Sequence, residues 1–233
     1  MKKVFLLSLI SISLCSVLNA QKEFYGRTVR FGFKVDPVFA NSLRPAESDI
    51  ERNSSSFGVN YGLMADVMFS DGRGAFATGV EIAHGASELA YNTSSRGLYR
   101  KEADAASAGN DQIYKLKLQY LQIPLSVKLK TNQQNGFRFW GQFGTYMGAL
   151  LKSRMDYSYG SVNGENVNVM KHTNKVNLGL LVGAGGEYQL AEKTDLFFGL
   201  GLENGFTDIT SNNSWKDGKV GLNRWAIRLG MFF

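Results

Sequence analysis

Eight segments of the chain alternate apolar and polar residues with a period of two, the spacing expected of strands with one buried face. The clearest begins at Ser56. There "SFGVNYGLMADVMF" sets Phe57, Val59, Tyr61, Leu63, Ala65, Val67 and Phe69 against Gly58, Asn60, Gly62, Met64, Asp66 and Met68. The first segment, about 30–39, sets Phe31, Phe33 and Val35 against Lys34 and Asp36; the third, 75–87, sets Phe76, Val80 and Ile82 against Glu81. The fifth, 137–152, opposes Phe139, Phe143, Met147 and Leu151 to Arg138 and Gln142. Segments 176–189, 196–206 and 224–233 repeat the pattern, with Asn177, Glu187, Glu203, Arg224 and Arg228 on their polar faces.

The fourth segment, 113–130, contains a fault. Leu116, Leu118 and Tyr120 alternate in one phase, and Leu121, Ile123, Leu125, Val127 and Leu129 continue in the other. A β-bulge near Tyr120 would keep both runs on one side. Pro124, which has no N–H to give to a ladder, suits such a neighbourhood.

The connections alternate too. They are short after segments two, four and six ("SDGRG", "TNQQNG", "LAEKTD") and long and polar after the others, at about 40–56, 88–112, 153–175 and 207–221. Short turns at one end and long loops at the other predict an all-β fold, an eight-stranded antiparallel transmembrane β-barrel of the outer membrane. The four long loops would be extracellular, and the turns and both termini periplasmic. A water-soluble barrel would have to bury the apolar face and expose or strand the other, which carries Glu81, Arg138, Glu187, Glu203, Arg224 and Arg228. Lipid outside and a paired charge network inside satisfy both faces.

Aromatic residues fit this placement. Phe31, Phe69, Phe76, Phe137, Tyr188, Phe198 and Phe233 fall on the apolar face beside short turns or a terminus, as a periplasmic girdle should. Phe57, Tyr61 and Trp225 are their counterparts at the opposite rim. The final strand places Trp225, Ile227, Leu229, Met231 and Phe233 on one face and stops on an aromatic, the form of signal that outer-membrane insertion machinery reads.

The first 20 residues, "MKKVFLLSLISISLCSVLNA", have two lysines, an apolar run and a small residue at the end, which reads as a secretory signal peptide cleaved after Ala20. A lipid anchor on Cys15 is the rival, disfavoured by Leu14 just before it. Residues 21–233 then form one barrel domain without cysteine. Losing Lys2 and Lys3 lowers the formal charge from +6 to +4. With no basic run in it, the chain has no expected nucleic-acid partner.

Candidate chemistry is sparse. Eight strands leave a lumen filled by side chains, not a wide channel. His84, on the lipid face near the loop end with Ser87 and Glu88 close by, is the one residue to weigh for nucleophilic catalysis. The simpler role is an interfacial polar residue, and no catalytic residue is assigned. His172 falls in a loop, expected to be mobile, without a partner pattern. "GAGGE" (183–187) lies mid-strand with no helix following, so it is not a phosphate loop. No histidine, cysteine or carboxylate group has metal-ligand spacing, and no cofactor is expected.

"LQYLQIPLSVKLKT" (118–131) followed by "FRFWGQFGTYMGALLKS" (137–153) resembles the PorT family of outer-membrane barrels. That family has a Tyr-Leu-Glu/Gln-Ile-Pro-Leu strand, a Lys-Leu-Lys turn and an aromatic-Gly-Gln-Phe-Gly strand. The resemblance implies a non-catalytic component of type IX protein secretion, with other secretion components as partners beside outer-membrane lipid and the insertion machinery. Two other roles stay open: a small OmpA- or OmpX-like barrel for adhesion or membrane stabilisation, and a surface lipid-modifying enzyme.

Overall fold

The computed structural model describes residues 23–24, 27–46, 50–69, 72–91, 97–98, 112–159, 162–216 and 218–233. The expected signal peptide and most of the expected loop 88–112 lie outside these. Eight strands make the barrel: β1 (Arg27–Pro45), β2 (Ile50–Phe69), β3 (Gly74–Tyr91), β4 (Gln112–Lys130), β5 (Phe137–Tyr159), β6 (Val176–Ala191), β7 (Thr194–Gly205) and β8 (Val220–Phe232). Each pairs antiparallel with its sequence neighbours, and β8 returns to β1 (Met231 opposite Phe33, Arg224 opposite Asn41), so no edge remains open. Closure is what lets a sheet satisfy its backbone in lipid.

The turn between β4 and β5 shows how local chemistry sets the register. Asn135 (φ +50°) and Gly136 (φ +80°) both take the left-handed conformation, and Gln134 and Phe137 exchange two backbone hydrogen bonds of 2.9 Å. This two-residue hairpin has the twist that flanking strands require, and Asn-Gly is the pair that tolerates it.

The outer surface of the lower barrel, the end bearing the short turns, is apolar on every strand. Phe33, Leu63, Val80, Leu125, Phe143, Val182, Leu200 and Leu229 are all exposed there. In water such a continuous surface would drive association.

The upper barrel reverses the pattern. Outward positions on β4 become Lys115, Lys117 and Gln119, while Tyr114, Leu116, Leu118 and Tyr120 are buried inside. They join Leu43, Leu89, Met155, Ile209, Trp215 and Leu222 in an apolar core. The expected bulge near Tyr120 is therefore absent: β4 keeps one phase throughout, even-numbered residues inward. The change in the sequence marks a change of solvent outside the wall, from lipid to water, and not a slip of the strand. The bulge is on β5 instead. Gln119 faces Lys152 but Tyr120 faces Leu150, leaving Leu151 as the extra residue. Above it the inward positions of β5 switch to Ser153 and Met155, both buried.

The strands are also longer than the alternation alone indicates. β2 has 20 residues and β5 has 23. At about 3.3 Å per residue and a tilt near 40°, 20 residues climb about 50 Å, roughly twice the ~25 Å apolar band of a membrane barrel. Much of the expected loops 40–56 and 153–175 is consequently strand, the second including a short return strand, Val162–Asn168, on β5. Loop 207–221 holds the start of β8 and the short strand Trp215–Lys216, which pairs with Gly97–Leu98.

Candidate functional site

The lumen is built in layers, each positioned by inward alternation on several strands. At the turn end, Arg30 (β1), Asp66 (β2), Lys128 and Lys130 (β4), Arg138 (β5), Glu187 (β6) and Asp195 (β7) converge. Arg138 meets Glu187 at 2.8 Å, Lys128 meets Asp66 at 2.9 Å, Arg30 meets Asp66 at 3.0 Å, and Lys130 meets Glu187 at 3.2 Å. Arg30 and Arg138 share Asp195. Four cations facing three carboxylates nearly balance, as a buried network must if its desolvation is to be offset. An open hollow of about 460 Å³ at this mouth is lined by Arg30, Arg138, Gln189, Lys193, Asp195 and Phe232.

Above it lies an aromatic layer of Met64, Trp140, Phe197 and Phe232. Trp140 stacks on Phe197 with centroids 4.6 Å apart, and Phe197 meets Phe232 edge-on at 5.9 Å. The Trp140 indole N–H donates to the carbonyls of Gly186 (3.1 Å) and Phe198 (3.2 Å). The layer is tied to its neighbour by cations over rings, Arg30 at 4.2 Å from Phe232 and Lys128 at 4.9 Å from Phe197. Gly185 and Gly199 make the slot for Trp140. A Cβ on either would lie within 2.8 Å of the indole and within 2.3 Å of a backbone carbonyl.

A second charged layer follows. Arg224 reaches Glu203 at 2.6 Å, Arg228 reaches it at 3.7 Å, and Lys34 pairs with Asp36 at 2.9 Å and with Glu81. Gln122 stitches the halves, donating to Glu81 (2.6 Å) and Glu203 (3.1 Å) while accepting from Arg224. Gln142 accepts from Arg228 at 3.1 Å and donates to Ser126 at 2.6 Å. A hollow of about 20 Å³ beside Lys34, Asp66, Lys128 and Arg228 has room for a single water. The apolar core closes the top, overlaid by residues 169–175 and 206–216. There the Asp208 carboxylate accepts from the backbone N–H groups of Thr210 and Val220.

The six charges singled out from the sequence thus divide between two layers, Arg138 and Glu187 below, Glu81, Glu203, Arg224 and Arg228 above. Lys34, Asp36, Asp66, Lys128 and Lys130 share their inward parity and belong with them, a signal present in the alternation. The aromatic layer gave no polar signal and was missed. Of the girdle residues, Phe76, Tyr188 and Phe198 are exposed on the outer face and Phe31, Phe69, Phe137 and Phe233 half-buried. Trp225, Ile227 and Leu229 are exposed on β8, with Met231 and Phe233 half-buried, and the Phe233 N–H donates to Phe31 at 2.9 Å.

His84 and Ser87 do not meet. His84 points outward, its Nδ1 2.6 Å from the Val59 carbonyl, whereas Ser87 is buried inside and donates to Ser54. His172, expected in a mobile loop, sits in a 3-10 turn, Met170–His172. Its Nδ1 lies 2.8 Å from Ser214 Oγ, and its carbonyl accepts from the Trp215 indole. The contact fastens the top of the barrel. Among the described residues no three His, Cys, Asp or Glu side chains are grouped to hold a metal.

The profile of a family described as an outer membrane protein beta-barrel domain matches residues 19–211. No curated protein matches the chain. Among solved structures, Neisserial surface protein A is 13% identical, with 87% of this chain and 97% of that one covered and a TM-score of 0.42. OprG from Pseudomonas aeruginosa is 14% identical over 88% and 92%, with a TM-score of 0.43. Ail, the attachment invasion locus protein of Yersinia pestis, is 12% identical over 88% and 97%, with a TM-score of 0.32.

Proposed function

The chain belongs to the outer membrane protein beta-barrel domain family, and on that premise we propose that it is a closed, non-catalytic barrel supporting type IX protein secretion as a docking component. In this reading residues 1–20 are removed as a signal peptide, the short turns and both termini face the periplasm, and the tall upper wall stands outside the cell. The observation that carries the non-conducting, non-catalytic part is the filled lumen: two ion-paired layers, an aromatic layer and an apolar core lie in series, and among the described residues no nucleophile sits beside a base at an open cavity. A barrel so filled has only its outer face, its mouth and its upper extension to offer a partner. The secretion role rests on the PorT-like sequence at 118–131 and 137–153. Those residues form the lower part of β4 and most of β5, on either side of the turn, the part of the wall that carries Gln122, Lys128, Arg138 and Trp140 into the lumen.

The test is a clean deletion, scored by secreted protease activity and surface display of cargo with C-terminal sorting domains. Cargo retained in the envelope, and released again by the wild-type gene, is the expected outcome. Normal secretion would sink the role, and the upper extension would then favour adhesion or membrane stabilisation.

A further inference from the structure

The outer wall of β3, β4 and β5 carries three rows of side chains, all polar but Ala86, immediately above the apolar band. Register places them in rows: His84 beside Gln119 beside Lys152, Ala86 beside Lys117 beside Arg154, and Glu88 beside Lys115 beside Asp156. All nine point outward, β5 doing so on even numbers because of its bulge at Leu151. The row below is Ile82, Leu121 and Ala149, wholly apolar. The boundary between lipid-facing and water-facing wall therefore runs just beneath Lys152, with Lys117 and Arg154 one row higher. Neighbouring side chains are about 5 Å apart across strands and roughly 6.6 Å along them, so the cations fall within reach of one anionic group. Lys117 also reaches Asp156, and the Arg154 guanidinium donates to the Asn166 carbonyl at 3.0 Å, which holds both against the wall.

Beside these rows the ladder between β2 and β3 lapses. Pairing runs to Ser55 opposite Ser87 and resumes only at Tyr61 opposite Ile82. In the gap the Asn60 side chain accepts from the His84 N–H at 2.8 Å, and the His84 ring turns its Nδ1 to the Val59 carbonyl, which leaves Nε2 for an outside partner. The result is a hollow of about 320 Å³ in the outer wall, lined by Phe57, Val59, Tyr61, His84 and Lys117 among others. Phe57 is 69% exposed there. Apolar below at Tyr61, Ile82 and Leu121, cationic above at Lys117 and Arg154, the site has the polarity of an amphiphile standing in a leaflet.

We propose that this face of β2–β5 is a docking site for a phosphorylated glycolipid of the outer leaflet, acyl chains against Tyr61, Ile82 and Leu121 and a phosphate held by Lys117, Lys152 and Arg154. The assignment of leaflet rests on the orientation given above, with the upper wall outside the cell. Basic side chains at a charged lipid surface each add to the attraction for anionic lipid, so losing three weakens binding at least tenfold.

The probe is bisphosphorylated lipid A, titrated against the purified full-length barrel in detergent and followed by native mass spectrometry, with dephosphorylated lipid A as comparison. Binding should depend on the phosphates and fall at least tenfold in the Lys117→Gln, Lys152→Gln, Arg154→Gln variant. Neutralising three exposed cations elsewhere, Arg73, Lys193 and Lys219, should leave it unchanged. Heat-modifiable gel mobility verifies that each variant is folded. Equal binding of the two lipids, or equal loss in both triple variants, overturns the site. Orientation is read separately, by labelling Asn213→Cys and Asn132→Cys with an impermeant maleimide on intact cells. Labelling of Asn132→Cys alone overturns the leaflet and the orientation together, whereas labelling of Asn213→Cys alone with phosphate-independent binding overturns the site and spares the orientation.

Discussion

At the scale of single residues, the interior charges are held by pairing and not by solvent. Glu203 accepts from Gln122 and faces Arg224 and Arg228, so Glu203→Ala leaves two buried guanidiniums short of a counter-charge. Breaking one partner of a buried pair costs about 3–5 kcal/mol, whereas replacing the whole set with apolar groups of similar volume is close to neutral. Urea unfolding of the barrel in lipid vesicles should therefore show Glu203→Ala destabilised by about 3–5 kcal/mol. Adding Arg224→Met should recover part of the loss, and a double variant no more stable than the single would contradict the pairing. Glycine acts here through space. Gly199→Ala would press a methyl into the Ala184 carbonyl and the Trp140 ring, an overpacking worth about 1–3 kcal/mol. A folded barrel with unchanged tryptophan fluorescence and stability would show that the slot is looser than drawn.

At the scale of elements, the strands were legible because lipid and lumen impose opposite demands on alternate residues, and all eight recurred. Their extent and one phase were not. Tyr114, Leu116, Leu118 and Tyr120 look like a lipid face, and only the knowledge that the wall outruns the membrane makes them an interior. The apolar residue of an alternation says which face is dry, and above the lipid the dry face is inside. The bulge at Leu151 was hidden for a related reason. Leu150 and Leu151 are adjacent and both apolar, so the shift of phase leaves no polar residue out of place. Deleting Leu151 and Lys152 together removes the bulge and one residue more, so it should drive Arg154 inward and turn Ser153 and Met155 out. The upper core would lose the buried Met155, worth about 2–5 kcal/mol for a core side chain of this size, and would take up charge as well. Limited proteolysis should then cut the upper barrel near 159–175 while the membrane-embedded half stays protected. Unaltered protease resistance would mean that the bulge does not set the upper phase.

At the scale of the whole molecule, the seals act in series, and that decides how the barrel fails. The lower charge layer, the aromatic layer, the upper charge layer and the apolar core each span the lumen, and each is drawn from several strands. Ions must pass all four, so removing any one leaves three. Trp140→Ala with Phe197→Ala empties most of the aromatic layer and should cost about 3–5 kcal/mol for each residue, the usual loss for a large buried aromatic. In planar bilayers the same variant should nevertheless conduct no more than wild type, because Lys34, Glu81, Gln122, Glu203, Arg224 and Arg228 still close the section above. A stable single-channel step in wild type would contradict the closed lumen outright. A step that appears only in the aromatic variant would show that the upper charge layer, though ion-paired, opens to water once its apolar floor is gone, and that the aromatic layer is the gate.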